Sequence, residues 1–150
     1  MVEEKPSITE KEWEHAGLKC KVVFVRQTHR CGYVTVPKNH IAFGKSYEDL
    51  PIEVHGGLTY GDIDSQTKSE QTFGFDCAHF NDLSTYDRPG REGHFWTLDE
   101  VIAETDKMAE QFQKLTLRAI IEHKLEWMPA WVKDNIKITV ADKETKEPEQ

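Results

Sequence analysis

Leu18-Lys19-Cys20-Lys21-Val22-Val23-Phe24-Val25-Arg26 and, after four residues, Cys31-Gly32-Tyr33-Val34-Thr35-Val36 decide the architecture of this chain. The first stretch alternates polar and apolar residues and then becomes a β-branched run. The second alternates again and stops at Pro37. β-Branched and aromatic side chains suit a pleated, half-buried surface, and proline has no N–H to give to a ladder. Joined by the polar connector Gln27-Thr28-His29-Arg30, the two stretches read as an antiparallel hairpin.

Upstream, Trp13–His15 reads as a short strand closed by the Ala16-Gly17 turn. Downstream, Pro37–Leu50 is irregular, with Gly44 as a turn and Ser46–Asp49 as a single helical turn. A third strand is expected from Ile52 to His55, continuing past Gly56-Gly57 to Tyr60, with Gly61–Gln71 as a mobile hairpin loop. Thr72–Cys77 is the fourth strand. Its odd positions, Phe73, Phe75 and Cys77, share one face, and Gly74 and Asp76 share the other. The aromatic face belongs to the core. Asn81–Gly93 is a loop rich in turn formers.

The helix signal is strong. Thr97 followed by Glu100 forms a capping box, and Asp99 adds negative charge to the first turn. Leu98, Val101, Ile102, Thr105, Met108, Ala109, Phe112 and Leu115 then recur at helical spacing. Glu104, Asp106, Lys107, Glu110 and Lys114 form the opposite, solvated stripe. The pattern extends through Ala119, Ile120 and His123 with room for a bend, and Trp127–Trp131 ends it. Ile136–Val140 reads as a last edge strand. Strands followed by helix define an α+β fold: an antiparallel sheet of four to five strands packed against a long C-terminal helix.

Apolar residues make up only 37% of the chain and charged residues 31%, partly because both ends are polar. Residues 1–12 read as a flexible segment, 13–140 as one globular domain, and 141–150 as a disordered acidic tail. A net charge of −8 argues against direct contact with nucleic-acid backbones. Three cysteines without CxxC spacing fit reduced thiols rather than a disulfide framework. With no signal peptide and no apolar run of spanning length, the expectation is a cytoplasmic protein that avoids the membrane.

Two blocks carry the chemistry: Val54-His55-Gly56-Gly57-Leu58-Thr59-Tyr60-Gly61 and Phe73-Gly74-Phe75-Asp76-Cys77-Ala78-His79-Phe80-Asn81-Asp82. Glycines inside strand-like sequence mark a bulge or a close backbone approach. His55, Gly56, Gly57, Thr59, Tyr60, Asp76, His79 and Trp96 are the candidate ligand-binding residues. The histidines and Asp76 orient a small polar ligand such as a nucleotide, the glycine N–H groups meet its acceptors, and Tyr60 or Trp96 stacks on it. Tyr33 and Phe95 could add stacking surface. No phosphate-loop spacing is present, no cofactor is implied, and no residue is assigned to catalysis.

Other readings stand beside this one. His55, Asp76 and His79 could ligate a metal and act in hydrolysis, with Asp82 and His94 as further donors. Cys77 lies between Asp76 and His79, as a nucleophile with a histidine partner would, but it shares the apolar face of its strand. In a purely structural reading the glycines form a β-bulge under the helix, and His55 and Asp76 bond across the hairpin. The acidic surface could instead cover a basic host protein, for example a defence or nucleic-acid-binding protein. Met108, Phe112, Trp127 and Trp131 could join copies into a homo-oligomer.

The ordered series CGYVTVPKNHIAFGKSYEDLPIEVHGGLTYG, FGFDCAHFND and WTLDEVIAETDKMAEQF resembles a widespread group of small bacteriophage and prophage proteins. These share a GYV-V-P segment, a VHGGLT block, a GFDxAH-xD block and a helix beginning near W-T-L. The similarity covers about Trp13 to Leu115. It picks out Gly32, Tyr33, Val34, Pro37, His55–Thr59, Gly74–Asp76, Ala78, His79 and Asp82. The resemblance implies a phage accessory role in the bacterial cytoplasm, with counter-defence as one form, and implies no mechanism.

Overall fold

The computed structural model describes residues 5–126, 128–132 and 134. Five strands, β1 (Ile8–His15), β2 (Leu18–Val25), β3 (His29–Pro37), β4 (Tyr60–Ile63) and β5 (Glu70–Asp76), precede two helices, α1 (Leu98–Lys114) and α2 (Leu117–Leu125). The sheet is antiparallel throughout, in the order β1-β2-β3-β5-β4. The expected hairpin is its centre: Val22 pairs with Gly32 and Cys20 with Val34, and β5 continues the ladder with Phe75 opposite Gly32.

Helix α1 covers one face of this sheet. Val22, Val34, Phe73, Phe75, Val101, Met108 and Phe112 are all fully buried there. The capping box forms as expected, with Thr97 Oγ1 accepting from the Glu100 N–H and the Glu100 carboxylate accepting from the Thr97 N–H. Gly32 allows the helix to come close. A Cβ at that position would lie 2.2 Å from Thr105 Oγ1 and 2.5 Å from a ring carbon of Phe75.

Three expectations shift. Strand β1 starts at Ile8, not Trp13, so residues 8–12 of the segment read as flexible pair with β2, Ile8 opposite Phe24. Charged residues dominate this strand because it is an edge, where charge discourages pairing with other chains. Arg30 also ties it in, donating to Glu10 at 2.7 Å. The third strand lies later than read. Residues 52–59 are irregular, and the pairing segment is Tyr60–Ile63, which shares only Tyr60 with the expected strand and otherwise lies within the expected loop. The connection to β5 is tightly turned, with Asp64 Oδ1 accepting from the N–H groups of Gln66 and Thr67. Finally, the helical run divides at Leu115-Thr116, where Leu115 is extended and Thr116 caps α2 through the Ala119 N–H.

The polar stripe of α1 is also more than solvated surface. Asp106 accepts from the Trp13 indole at 2.7 Å, Glu104 from the His55 N–H at 2.8 Å, and Gln111 brackets both backbone groups of Glu53. The first ties β1 to the helix, and the contacts to Glu53 and His55 position the segment that carries the first chemical block. Trp127, the strand expected at Ile136–Val140 and the tail from 141 lie outside the described residues. No helix among the described residues is long and apolar enough to cross a membrane.

Candidate functional site

The turn Val54-His55-Gly56-Gly57 is closed by the Gly57 N–H donating to the Val54 carbonyl at 2.9 Å. Its third residue, Gly56, has φ +69°, the position at which a type II turn needs glycine. Gly56 also makes room. A Cβ there would lie 2.0 Å from His79 Nε2, so the imidazole rests directly on the turn. The glycine pair therefore forms a turn and a seat for His79, not a β-bulge under the helix.

His55 and Asp82 form the buried centre of the neighbourhood. Asp82 is 7% exposed. Its carboxylate accepts from His55 Nε2 at 2.7 and 3.0 Å, from the His79 N–H at 2.9 Å and from the Trp96 indole at 3.1 Å. Burial opposes ionisation of Asp82, but the hydrogen bonds from His55 and His79, His55's charge and the Trp96 bond outweigh it. The carboxyl is held below its ordinary value. Trp96 lies against His55 with ring centroids 4.4 Å apart, and its carbonyl accepts from Arg30 at 2.9 Å. Three chain segments are thus tied at one charged group.

The other expected residues face an open groove of about 550 Å³ on the helix-free face of the sheet. Thr59, Tyr60, Asp76 and His79 line it, together with His29, Cys31 and Tyr33. Thr59 donates to Asp76 Oδ2 at 2.9 Å, and the other carboxylate oxygen accepts from the Ala78 N–H at 3.0 Å. His79 Nε2 lies 3.2 Å from that same oxygen without hydrogen-bond alignment, and it is buried with no other partner. Tyr33 meets Tyr60 edge to face at 5.6 Å. Burial pushes both phenols up, with Cys31 adding to the effect at Tyr33 and Asp62 at Tyr60, so both keep their O–H.

The eight expected residues therefore divide. Thr59, Tyr60, Asp76 and His79 share the groove, and Gly56 supports it from below. His55 and Trp96 are taken up by Asp82, and neither they nor Gly57 lines the groove. His55 bonds Asp82 and not Asp76, contrary to the cross-hairpin expectation. Among the described residues, no group of three His, Cys, Asp or Glu side chains is arranged to hold a metal ion. Cys77 is buried in the core, and burial followed by the charge of Asp82 pushes its thiol up. A thiol so placed is inert.

The residue types offer Asp82 as a metal donor and the resemblance picks it out without a role, and neither singles out His29 or Cys31 as groove residues. Asp82 sits three residues after His79, a spacing that lets a carboxylate accept a local backbone N–H. That spacing was its available signal. Comparison with protein-family models, curated proteins and solved structures returned no match.

Proposed function

We propose that this protein binds a small polar ligand without catalysis, as a phage accessory protein of the bacterial cytoplasm, with counter-defence as its setting. The supporting observation for binding is the groove over β3, β5 and the start of β4. Its volume lies in the range of small-molecule sites, and it combines a two-tyrosine wall with a carboxylate, a threonine hydroxyl and two imidazoles. The phage setting is supported by the resemblance of the VHGGLT and GFDxAH blocks.

The lining indicates the kind of ligand. Among the described residues no Lys or Arg lines the groove, and Asp76 contributes negative charge. A neutral, amine-bearing ring such as the nucleoside part of a nucleotide matches this wall. The ring stacks on Tyr60, Asp76 accepts from its amino group, and phosphates project outward. The His55–Asp82 pair, the best-formed proton-transfer pair nearby, does not line the groove, which favours binding over turnover.

Titration calorimetry with a panel of nucleosides and nucleotides tests this reading. Native mass spectrometry of freshly purified protein adds a search for a co-purifying molecule. Tyr60→Ala is expected to weaken binding by about tenfold or more, the scale of a lost base–aromatic stack, with the melting temperature preserved. An unbound native mass together with no heat for any member of the panel would refute it.

A further inference from the structure

The groove is one end of a longer trough. A second groove of about 570 Å³ is lined by Glu12, Glu14, Lys19, Lys21, Asp64 and Glu70 among others. A smaller one over Lys21, Val23, Tyr33, Tyr60 and Thr72 joins the two, sharing residues with each. The register explains this continuity. Glu12, Lys21, Tyr33, Gly74 and Tyr60 form one cross-strand row, and Glu14, Lys19, Thr35, Thr72 and Asp62 form the next. All of these residues lie on the face opposite α1. From Glu70 to Asp76 the trough runs about 20 Å along β5 at ~3.3 Å per residue.

Its chemistry is one-sided. Six carboxylates, Glu12, Glu14, Asp62, Asp64, Glu70 and Asp76, stand against the ammonium groups of Lys19 and Lys21. Lys19 is already paired with Glu70 at 3.0 Å, and Lys21 lies over the Tyr33 ring at 5.4 Å. The face therefore already holds one cation in each of the two ways it offers, by a carboxylate and by an aromatic ring. Tyr60 is 41% exposed beside Tyr33 and is open to a further cation.

We infer that the helix-free face binds an extended arginine- or lysine-rich segment of a partner protein. The segment crosses the sheet from the Glu12, Glu14 and Glu70 end to Asp76, its cations alternating between these carboxylates and the tyrosine pair. Charge complementarity selects such a partner. The length of the trough, which matches about six extended residues, selects a segment rather than a single side chain. This inference goes beyond the small-ligand reading, because most of its carboxylates lie outside the groove of Asp76 and His79.

Fluorescence polarisation with a labelled peptide of about six to eight residues, alternating Arg and Gly, tests the inference. Binding that weakens steeply with salt is expected. The triple variant Glu12→Gln/Glu14→Gln/Glu70→Gln should lose about tenfold in affinity, while Glu92→Gln/Asp99→Asn/Glu122→Gln, with the same change in charge, should keep it. Nucleoside affinity should not change in the first triple variant, so failure here is distinguishable from failure of the small-ligand reading. Absence of peptide binding at low salt, or equal losses in the two triple variants, would overturn the inference. Competition by spermidine as strong as that of the peptide would overturn it too, in favour of a small polycation.

Discussion

Truncation of Asp82 gives the sharpest test of how this region is built. Asp82→Ala removes the one acceptor shared by His55 Nε2, the Trp96 indole and the His79 N–H. Losing the partner of a buried polar group costs about 1–3 kcal/mol, and breaking a buried charged pair costs more. Water can reach some of the freed donors, so a net loss of about 3–4 kcal/mol is expected, or a melting temperature lower by about 10 °C. Urea unfolding followed by circular dichroism measures this, and tryptophan fluorescence reports on Trp96 in the same samples. The pH dependence gives an independent check. Because the folded state holds the carboxyl below its ordinary value, the unfolded chain binds more protons across that interval, and stability rises with pH through it. The Asp82 contribution is complete above the ordinary carboxylate range and disappears as pH falls through the depressed folded value. The gap between wild type and Asp82→Asn should therefore be widest near neutrality and close in acid. A loss below 1 kcal/mol for Asp82→Ala, or a gap that widens on acidification, would refute the reasoning.

Two further predictions concern the core. Gly32→Ala places a methyl group 2.2 Å from Thr105 Oγ1, between sheet and helix, and should cost about 2–3 kcal/mol in chemical denaturation; a neutral effect would show that α1 does not seat as described. Cys20, Cys31 and Cys77 are all buried, and burial pushes the first two thiols up to about 11 and Cys77 further. At pH near 8, a thiol reagent should label the native protein far more slowly than the urea-unfolded chain, and one fast-reacting native cysteine would contradict this placement.

The structure also changes what substitution of His55 means. As a ligand-orienting residue, His55→Ala would abolish binding and leave folding intact. As the partner of a buried carboxylate and a ring packed on Trp96, its loss acts first on stability. Residue types alone could not decide between these roles, because a histidine beside two glycines suits a ligand and a turn equally well. The partner that decides it, Asp82, is 27 residues away in sequence.

Local chemistry alone determined the β2–β3 hairpin, the inward face of β5 and the capped start of α1. Alternation, β-branching and a capping box act within a few residues, and tertiary contacts reinforced them. Edge strands carry a weaker signal: β1 and β4 are short of apolar residues because one side of each faces solvent, and so the pattern starts β1 too late in the chain and places the third strand too early. Only the tertiary structure decided how the chemical residues divide. Strand alternation put Asp76 opposite Phe75, and the turn at Gly56 then brought His79 to the Asp76 side and His55 to Asp82. A side chain's role depends on which donor or acceptor lies within about 3 Å of it. That distance is set by how distant segments fold onto one another, which no local pattern encodes.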